Sequence, residues 1–357
     1  MRLHAGRLPL AVVVLAVAGC SSSDGSGSDR ELLPVRAFEI GMVHALAGHG
    51  DLVAAQVRDA SLGYTAVLRV YREDPAFPGE LLVLGDADLE VSNGVATDLG
   101  VSADRAAATF RDAGRVSVVA LDGPSPVTVA VLERPDLRQA AASGRWLVLA
   151  TAAPGGPSLE LVDLEPTVPV SAATFAAGSP VTELLPFWAG FLVFTEGGYG
   201  VLQPDAGPAS YTFTPHASIR GFERAQLSQA DRAWVAGPSI FAGKARVARL
   251  DVSAAAGPVL DLVADVEGVY EDFAFDGAGK AFLAVQVPGD WGAQVGSVLE
   301  EGAGGLVVED VHRVTGLFRC EASFVHASGG WLFAGYAPWT KDYHSSTSDQ
   351  LAIFRLP

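Results

Sequence analysis

The sequence predicts an all-β fold assembled from one recurring unit. Three observations carry this expectation. Helical periodicity is scarce, and the best stretch, Ala103 to Ala113, fits a strand–turn–strand reading equally well. Short runs rich in Val, Leu, Phe and Thr alternate with Gly, Pro, Asp and Ser along the chain. The unit also repeats. The first apolar residue that opens a buried strand is Leu52, Ala106, Trp146, Phe191, Ala233, Ala281 and Trp331, at intervals of 40 to 54 residues. A period of roughly 40–50 residues is what a four-stranded antiparallel blade requires.

The N-terminus reads as an export segment. Arg2, His4 and Arg7 give it positive charge, and Leu8 to Ala18 form an apolar core too short to span a bilayer. It ends in Val17-Ala18-Gly19-Cys20, followed by a Ser/Gly/Asp run. This resembles the lipobox of bacterial lipoproteins. The resemblance implies a signal peptide over 1–19, cleavage before Cys20, and lipidation of Cys20 with acyl chains. Residues 20–30 are then a flexible tether, and 31–357 a single domain. Acyl chains anchor through burial of about 0.8 kcal/mol per CH₂. Ser21 follows the cysteine, where Asp resembles an inner-membrane retention signal in some bacteria. The expected location is therefore the cell envelope, at the outer membrane, with the periplasmic or surface side open.

Within the domain, Trp146–Thr151 and Leu159–Leu164 flank the turn Ala153-Pro154-Gly155-Gly156-Pro157 and predict a hairpin. Third strands share an ending in Asp, at Asp122, Asp163 and Asp251, where a carboxylate can accept from nearby backbone N–H groups. The last unit has strand c at Leu351–Leu356 and no strand d of its own, while Leu32–Phe38 has no blade of its own. Pairing the two would close a ring and cover an edge. Pro34 suits that outermost position. The pattern resembles seven-bladed β-propellers closed by an N-terminal velcro strand. The looser repeats of WD40-like and LVIVP-type bacterial surface propellers are the nearest likeness. The Gly-His…Trp-Asp repeat is absent, as are an Asp-box series and a Gly-Gly pair per blade. A six- or eight-bladed ring, or a pair of sandwiches, remains open from the residues alone.

Composition narrows the function classes. Hydrophobic residues make up 49% of the 357-residue chain and charged ones 18%, so a packed core is affordable and wholesale disorder is excluded. The mean hydropathy of +0.29 suits many strands buried on both faces. A net charge of −17 argues against a nucleic-acid partner. Removing residues 1–19 takes two arginines and no acid, leaving −19. The longest later apolar run, Leu184 to Phe194, is broken by Pro186. With Cys20 acylated, Cys320 is a lone cysteine in an alternating strand.

Motifs for enzyme chemistry are missing. The seven histidines form no HxxxH or HxH pair, and no Gly-x-Ser-x-Gly elbow, P-loop or Rossmann fingerprint occurs. Asp86-Ala87-Asp88-Leu89-Glu90 looks like a calcium loop, yet Val91 occupies the required Gly position. No cofactor, metal site or catalytic residue is therefore expected. What remains are two sets of binding candidates. Loops between strands b and c carry aromatics: Tyr64, Tyr199, Phe241, Trp291, Trp339 and Tyr343, rimmed by Ser, Asp and Lys. Such residues suit contact with an envelope protein or a glycan. Counting back eight to ten positions from each strand-b anchor gives channel-lining polar residues. These are His44, Asp98, Arg138, Glu183, Glu223, Glu271 with Asp272, and Glu321, with Arg220, Arg224 and Arg319 nearby. Crowded carboxylates raise one another's pKa or hold a cation. The expected function is a lipid-anchored binding or scaffold module without catalysis. The alternative is a hydrolase or lyase acting on glycans through a carboxylate pair. A weaker third reading uses the outer blade edges for envelope assembly.

Overall fold

The computed structural model describes residues 31–357 except 33–35, 40–41, 59–64, 75, 78–80, 93–95, 153, 188–189, 206, 217–221, 230–231, 240, 242, 252–258, 276–279, 287–293, 302–304, 315–319, 329–330, 339–349 and 356–357. Cys20 and the tether lie outside the described residues. Two short N-terminal strands, β1 (Glu31–Leu32) and β2 (Arg36–Glu39), precede a run of hairpins. The first complete sheet is β3 (Met42–His49), β4 (Leu52–Arg58), β5 (Thr65–Glu73) and β6 (Leu81–Ser92). The next is β7 (Asp98–Val101), β8 (Arg105–Phe110), β9 (Arg115–Ala120) and β10 (Val127–Glu133). Then come β11 (Leu137–Ser143), β12 (Trp146–Thr151), β13 (Ser158–Asp163) and β14 (Val170–Ala176). The fourth is β15 (Val181–Phe187), β16 (Gly190–Thr195), β17 (Gly198–Gln203) and β18 (Ser210–Pro215). The fifth is β19 (Arg224–Gln229), β20 (Arg232–Pro238), β21 (Lys244–Asp251) and β22 (Val259–Glu267). A further sheet holds β23 (Val269–Phe275), β24 (Lys280–Gln286), β25 (Gln294–Glu301) and β26 (Gly305–Val314). The last holds β27 (Cys320–Ser328), β28 (Trp331–Pro338) and β29 (Gln350–Arg355).

Leaving β1 and β2 aside, the strands of each sheet form an antiparallel meander, and the chain is an all-β propeller of four-stranded antiparallel blades. The first strands pack on one another in chain order, β3 on β7, β7 on β11, and so on to β27, which packs on β3. Every strand-b anchor read from the sequence falls at the first or second residue of a second strand. The hairpin around residues 152–157 forms in register, with Trp146 opposite Asp163 and Thr151 opposite Ser158. Ala103–Ala113 resolves as strand, turn and strand rather than helix, since β8 and β9 pair across it. Asp86–Glu90 is part of β6, with Leu89 and Val91 buried and Asp86 bound to Arg69, so no ion loop forms there.

The N-terminal segment departs from the expectation of one strand over Leu32–Phe38. Arg36–Glu39 pairs antiparallel with the outer side of β29, but Glu31–Leu32 pairs parallel with Arg313–Val314 of β26. The segment therefore touches the outer strands of two sheets.

Burial explains why these residues form these strands. Second strands are apolar on both faces: β12 is buried from Leu147 to Ala150, β16 from Phe191 to Thr195. A strand sandwiched between blades has no solvent side and needs no polar alternation. Small residues sit where blades approach closely, such as Ala106, Ala107, Ala140 and Ala141. Packed clusters fill the spaces between neighbouring sheets; Trp234 of β20 stacks on Phe275 of β23 at 5.5 Å. Fourth strands are half exposed, and Val127, Val129, Val168 and Val170 show at the outer rim.

The Asp that ends third strands has a partner not foreseen. Asp163 accepts from the Glu165 backbone N–H at 3.0 Å, as turn chemistry requires, and also pairs with Arg145. Asp122 pairs with Arg105 at 3.2 Å, and Asp251 lies opposite Arg232 in the register. The recurring device is a cross-strand Arg–Asp pair between the start of strand b and the end of strand c.

Candidate functional site at the channel mouth

Four first strands from four sheets send one polar side chain each to a common point. Arg224 opens β19, Asp98 opens β7, Glu183 is third in β15 and Asp272 fourth in β23. The Arg224 guanidinium donates to Asp98 Oδ1 at 2.7 Å. The same nitrogen lies 3.6 Å from Glu183 Oε2, and Arg224 Nε lies 3.6 Å from Asp272 Oδ1. Only the first is a hydrogen bond; the other two are ion pairs at longer range. The three carboxylates are buried, while the Arg224 side chain keeps 29% of its surface open. All four sit at the starts of first strands, the end where d–a connections and b–c loops gather.

A backbone device sets these directions. In β11, β15 and β23 the pairing with the second strand skips one residue near the start, at Arg138, Thr182 and Glu271. The same skip occurs at His44 in β3 and Ser323 in β27. A bulge inserts one residue and re-aims the next. Gln139, Glu183 and Asp272 follow the bulges, and all three are buried. Counting back from the anchors thus found Asp98, Glu183 and Asp272. For Arg138 the side chain is exposed, and Gln139 takes the inner position. Glu223 precedes β19 and is exposed at the rim, so Arg224 holds the inner position there. Glu271 and Glu321 lie in β23 and β27, and His44 in β3; their side chains are outside what is described.

The aromatic candidates fare differently. Tyr199 is the second residue of β17 and is buried against Leu192 and Phe194, so it is a core residue rather than a loop tip. Short turns leave no projecting loop there: only residues 196 and 197 separate β16 from β17. Phe241, between β20 and β21, is 56% exposed. Tyr64, Trp291, Trp339, Tyr343, Arg220 and Arg319 lie outside the described residues.

Electrostatics at the mouth follow from three acids sharing one base. Burial pushes the Glu183 carboxyl well above the carboxylate range, against the pull of Arg224, with Asp98 and Asp272 adding to the rise. Burial likewise pushes Asp272 up to about 6, opposed by Arg224 and by backbone N–H groups of Val325 and Phe273. The Val325 N–H donates to Asp272 Oδ2 at 3.0 Å, tying β23 to β27. Gln139 Nε2 donates to the Thr182 carbonyl, tying β11 to β15. Gln56 and Gln226 do the same elsewhere, accepting from Ala96 N–H at 2.8 Å and Phe275 N–H at 2.7 Å. Sequence reasoning passed over Gln139 and the buried Tyr270 beside the cluster; a Gln or Tyr one residue from a bulge carries no signal of direction.

Chemically, a carboxyl that keeps its proton beside an ionised one is also what a glycosidase uses. Here the Arg224 guanidinium occupies the space between Asp98 and Glu183, where a scissile bond would sit. Among the described residues no group of three His, Cys, Asp or Glu side chains is placed to hold a metal ion, and no helix is long and apolar enough to cross a membrane.

The fold defines a β-propeller whose first strands bring Arg224 and three acids together. No protein-family model matches the chain, and no curated protein is similar to it in sequence. Solved structures are similar in fold. The β-propeller domain of Cps50 (Swd1) from Myceliophteria thermophila superposes with a TM-score of 0.61 at 12% identity, covering 91% of this chain and 99% of that one. The WD40 domain of Toxoplasma gondii coronin gives 0.55 at 12% identity, covering 92% and 89%. Apo AztD from Citrobacter koseri gives 0.53 at 12% identity, covering 82% and 80%. At these identities the likeness is one of fold.

Proposed function

We propose that this protein is a lipid-anchored, extracytoplasmic propeller of seven blades that binds or scaffolds in the cell envelope and does no catalysis. In this reading β2 acts as the closing strand on β29, and the acyl chains on Cys20 hold the domain at the outer membrane. The observation that carries it is Arg224 filling the gap among Asp98, Glu183 and Asp272. Carboxylates engaged this way are suited to recognition and poorly placed for bond cleavage. WD40-type propellers are commonly interaction scaffolds, and the rigid ring gives loops from several blades one shared face. The face would meet an envelope protein or a glycan through Phe241 and the b–c loops carrying Trp291, Trp339 and Tyr343.

A second reading rests on a separate observation. Val127, Val129 and Val170 on outer strands of adjacent sheets, with Val168 just before β14, expose aliphatic surface, and apolar surface of this kind marks contact sites. The rim would then serve envelope assembly while the mouth serves recognition. Membrane fractionation of the full chain and of Cys20→Ser tests the anchoring. The full chain is expected with the outer membrane, extractable by detergent, and the variant in the soluble fraction. Equal fractionation of the two would overturn the anchor.

A further inference from the structure

The mouth has more acceptors than its own donors satisfy. Arg224 makes one hydrogen bond there, to Asp98. Glu183 Oε2 has no hydrogen-bond partner among the described residues, although Glu183 is only 8% exposed. Two neighbours share the condition: Gln139 Oε1, on a side chain 3% exposed, and Tyr270 Oη, on one 9% exposed. Native proteins leave few buried polar atoms without partners, because each costs about 1–3 kcal/mol. The side chains that carry these atoms are linked through the Arg224 cluster. Gln139 and Arg224 act on the Glu183 charge, and Asp272, Arg224 and Glu183 act on Tyr270.

We infer that this cluster is the seat of a primary alkylammonium group, carried by a lysine side chain of a partner or by a small diamine, and entering from the open side of Arg224. The inference rests on the binding reading above and names the chemistry of the ligand. An ammonium has three N–H donors and one positive charge. The cluster offers orphan acceptors at Glu183, Gln139 and Tyr270, and two carboxyl groups, Glu183 and Asp272, beyond the Arg224–Asp98 pair. The two 3.6 Å contacts of Arg224, to Glu183 and Asp272, are too long to be hydrogen bonds, so a shift of its side chain opens the seat while the 2.7 Å bond to Asp98 holds. A quaternary ammonium has the charge without the donors and does not fit.

Burial holds the Glu183 carboxyl up, so it keeps a proton when no cation sits beside it other than Arg224. The groups facing it are Asp98, Arg224, Asp272, Gln139 and Tyr270, with Glu223 at the rim beside Tyr270. Ligand binding expels that proton, so affinity rises with pH across the range in which Glu183 holds it.

Calorimetric titration of the mature domain tests this, with n-butylammonium as probe, tetramethylammonium as control, and two buffers of different ionisation enthalpy. Expected are saturable butylammonium binding with proton release, at least tenfold weaker tetramethylammonium binding, and at least tenfold weaker butylammonium binding to Glu183→Gln. Thermal melting confirms that the variant is folded, and Gln139→Leu gives a second, uncharged test with a smaller loss. Nα-acetyl-lysine amide and cadaverine then separate a partner's lysine from a free diamine. Equal binding of the two ammonium probes, binding unchanged in Glu183→Gln, or no saturation would overturn the site. Cys20-dependent fractionation would be untouched by that failure, so the two readings fall separately.

Discussion

At the channel mouth, Arg224 gathers three acids from three other sheets; at the contact between β27 and β3, His326 is buried and, among the described residues, has no ion-pair partner. His326 stacks on Phe333 at 5.9 Å, and neither ring nitrogen makes a hydrogen bond of ordinary geometry. Burial lowers its pKa to about 4, with the nearby His49 adding to the drop and the Gly50 backbone opposing it. Its ring lies over Gly48, where a Cβ would come 2.3 Å from Nε2. At one site a cation offsets part of the cost of burying acids; the other site holds a neutral ring that packs as an aromatic. The contrast matters because β27 and β3 belong to the last and first complete meanders. A charged pair there would couple the contact to ionic strength, whereas a neutral ring couples it to acid.

The two regions also bend stability with pH in opposite directions. His326 has a folded pKa below its unfolded value. Its favourable contribution is present above about pH 6.5 and is lost as pH falls toward about 4. Asp272 has a folded pKa above its unfolded value, so its contribution is present below about pH 3.8 and is lost as pH rises through about 6. Between pH 4 and 6 the slopes oppose one another.

Breaking the mouth has the largest expected effect. Arg224→Met leaves three buried acids without their cation and should cost about 3 kcal/mol in urea unfolding at neutral pH. That is the low end for a buried pair, since the guanidinium is 29% open. The loss should shrink on acidification, and a loss that grows would contradict the assignment. Next is the seam. His326→Phe should abolish an acid-induced loss of about 3 kcal/mol between pH 6.5 and 4, leaving a protein that weakens as pH rises across that window. Equal pH profiles for the variant and wild type would remove His326 from the account. Gly48→Ala sharpens the comparison sterically: about 2 kcal/mol, rescued in part by His326→Ala, which makes room. Smallest is an exposed pair. Arg69 donates two hydrogen bonds to Asp86, at 2.8 and 2.7 Å, yet Asp86→Asn should cost less than about 1 kcal/mol and even less in high salt.

The strand-b anchors were legible because a strand buried on both faces leaves a run of apolar residues bounded by turns. Leu52, Ala106, Trp146 and Phe191 show this plainly. Asp98, Glu183 and Asp272 were legible as polar residues eight or nine positions before their anchors. What hid the rest was the bulge. A skipped residue at Arg138 or Glu271 changes no composition, but it moves the inward position to Gln139 or Asp272. Tyr199 misled for a related reason: an aromatic next to Gly197 and Gly198 reads as a loop tip, yet a two-residue turn places it in the strand. The parallel pairing of Glu31–Leu32 had no sequence signal, because two residues carry no periodicity.

The central claim is that residues far apart in the chain converge on one mouth, with Arg224 and Asp98 in contact across 126 positions. A double-mutant cycle of Arg224→Met and Asp98→Asn, read by urea unfolding at pH 7, tests it most directly. The account predicts that the double variant is more stable than the summed single losses imply, by at least about 1 kcal/mol. Additive losses would place the two residues in separate surroundings and contradict it.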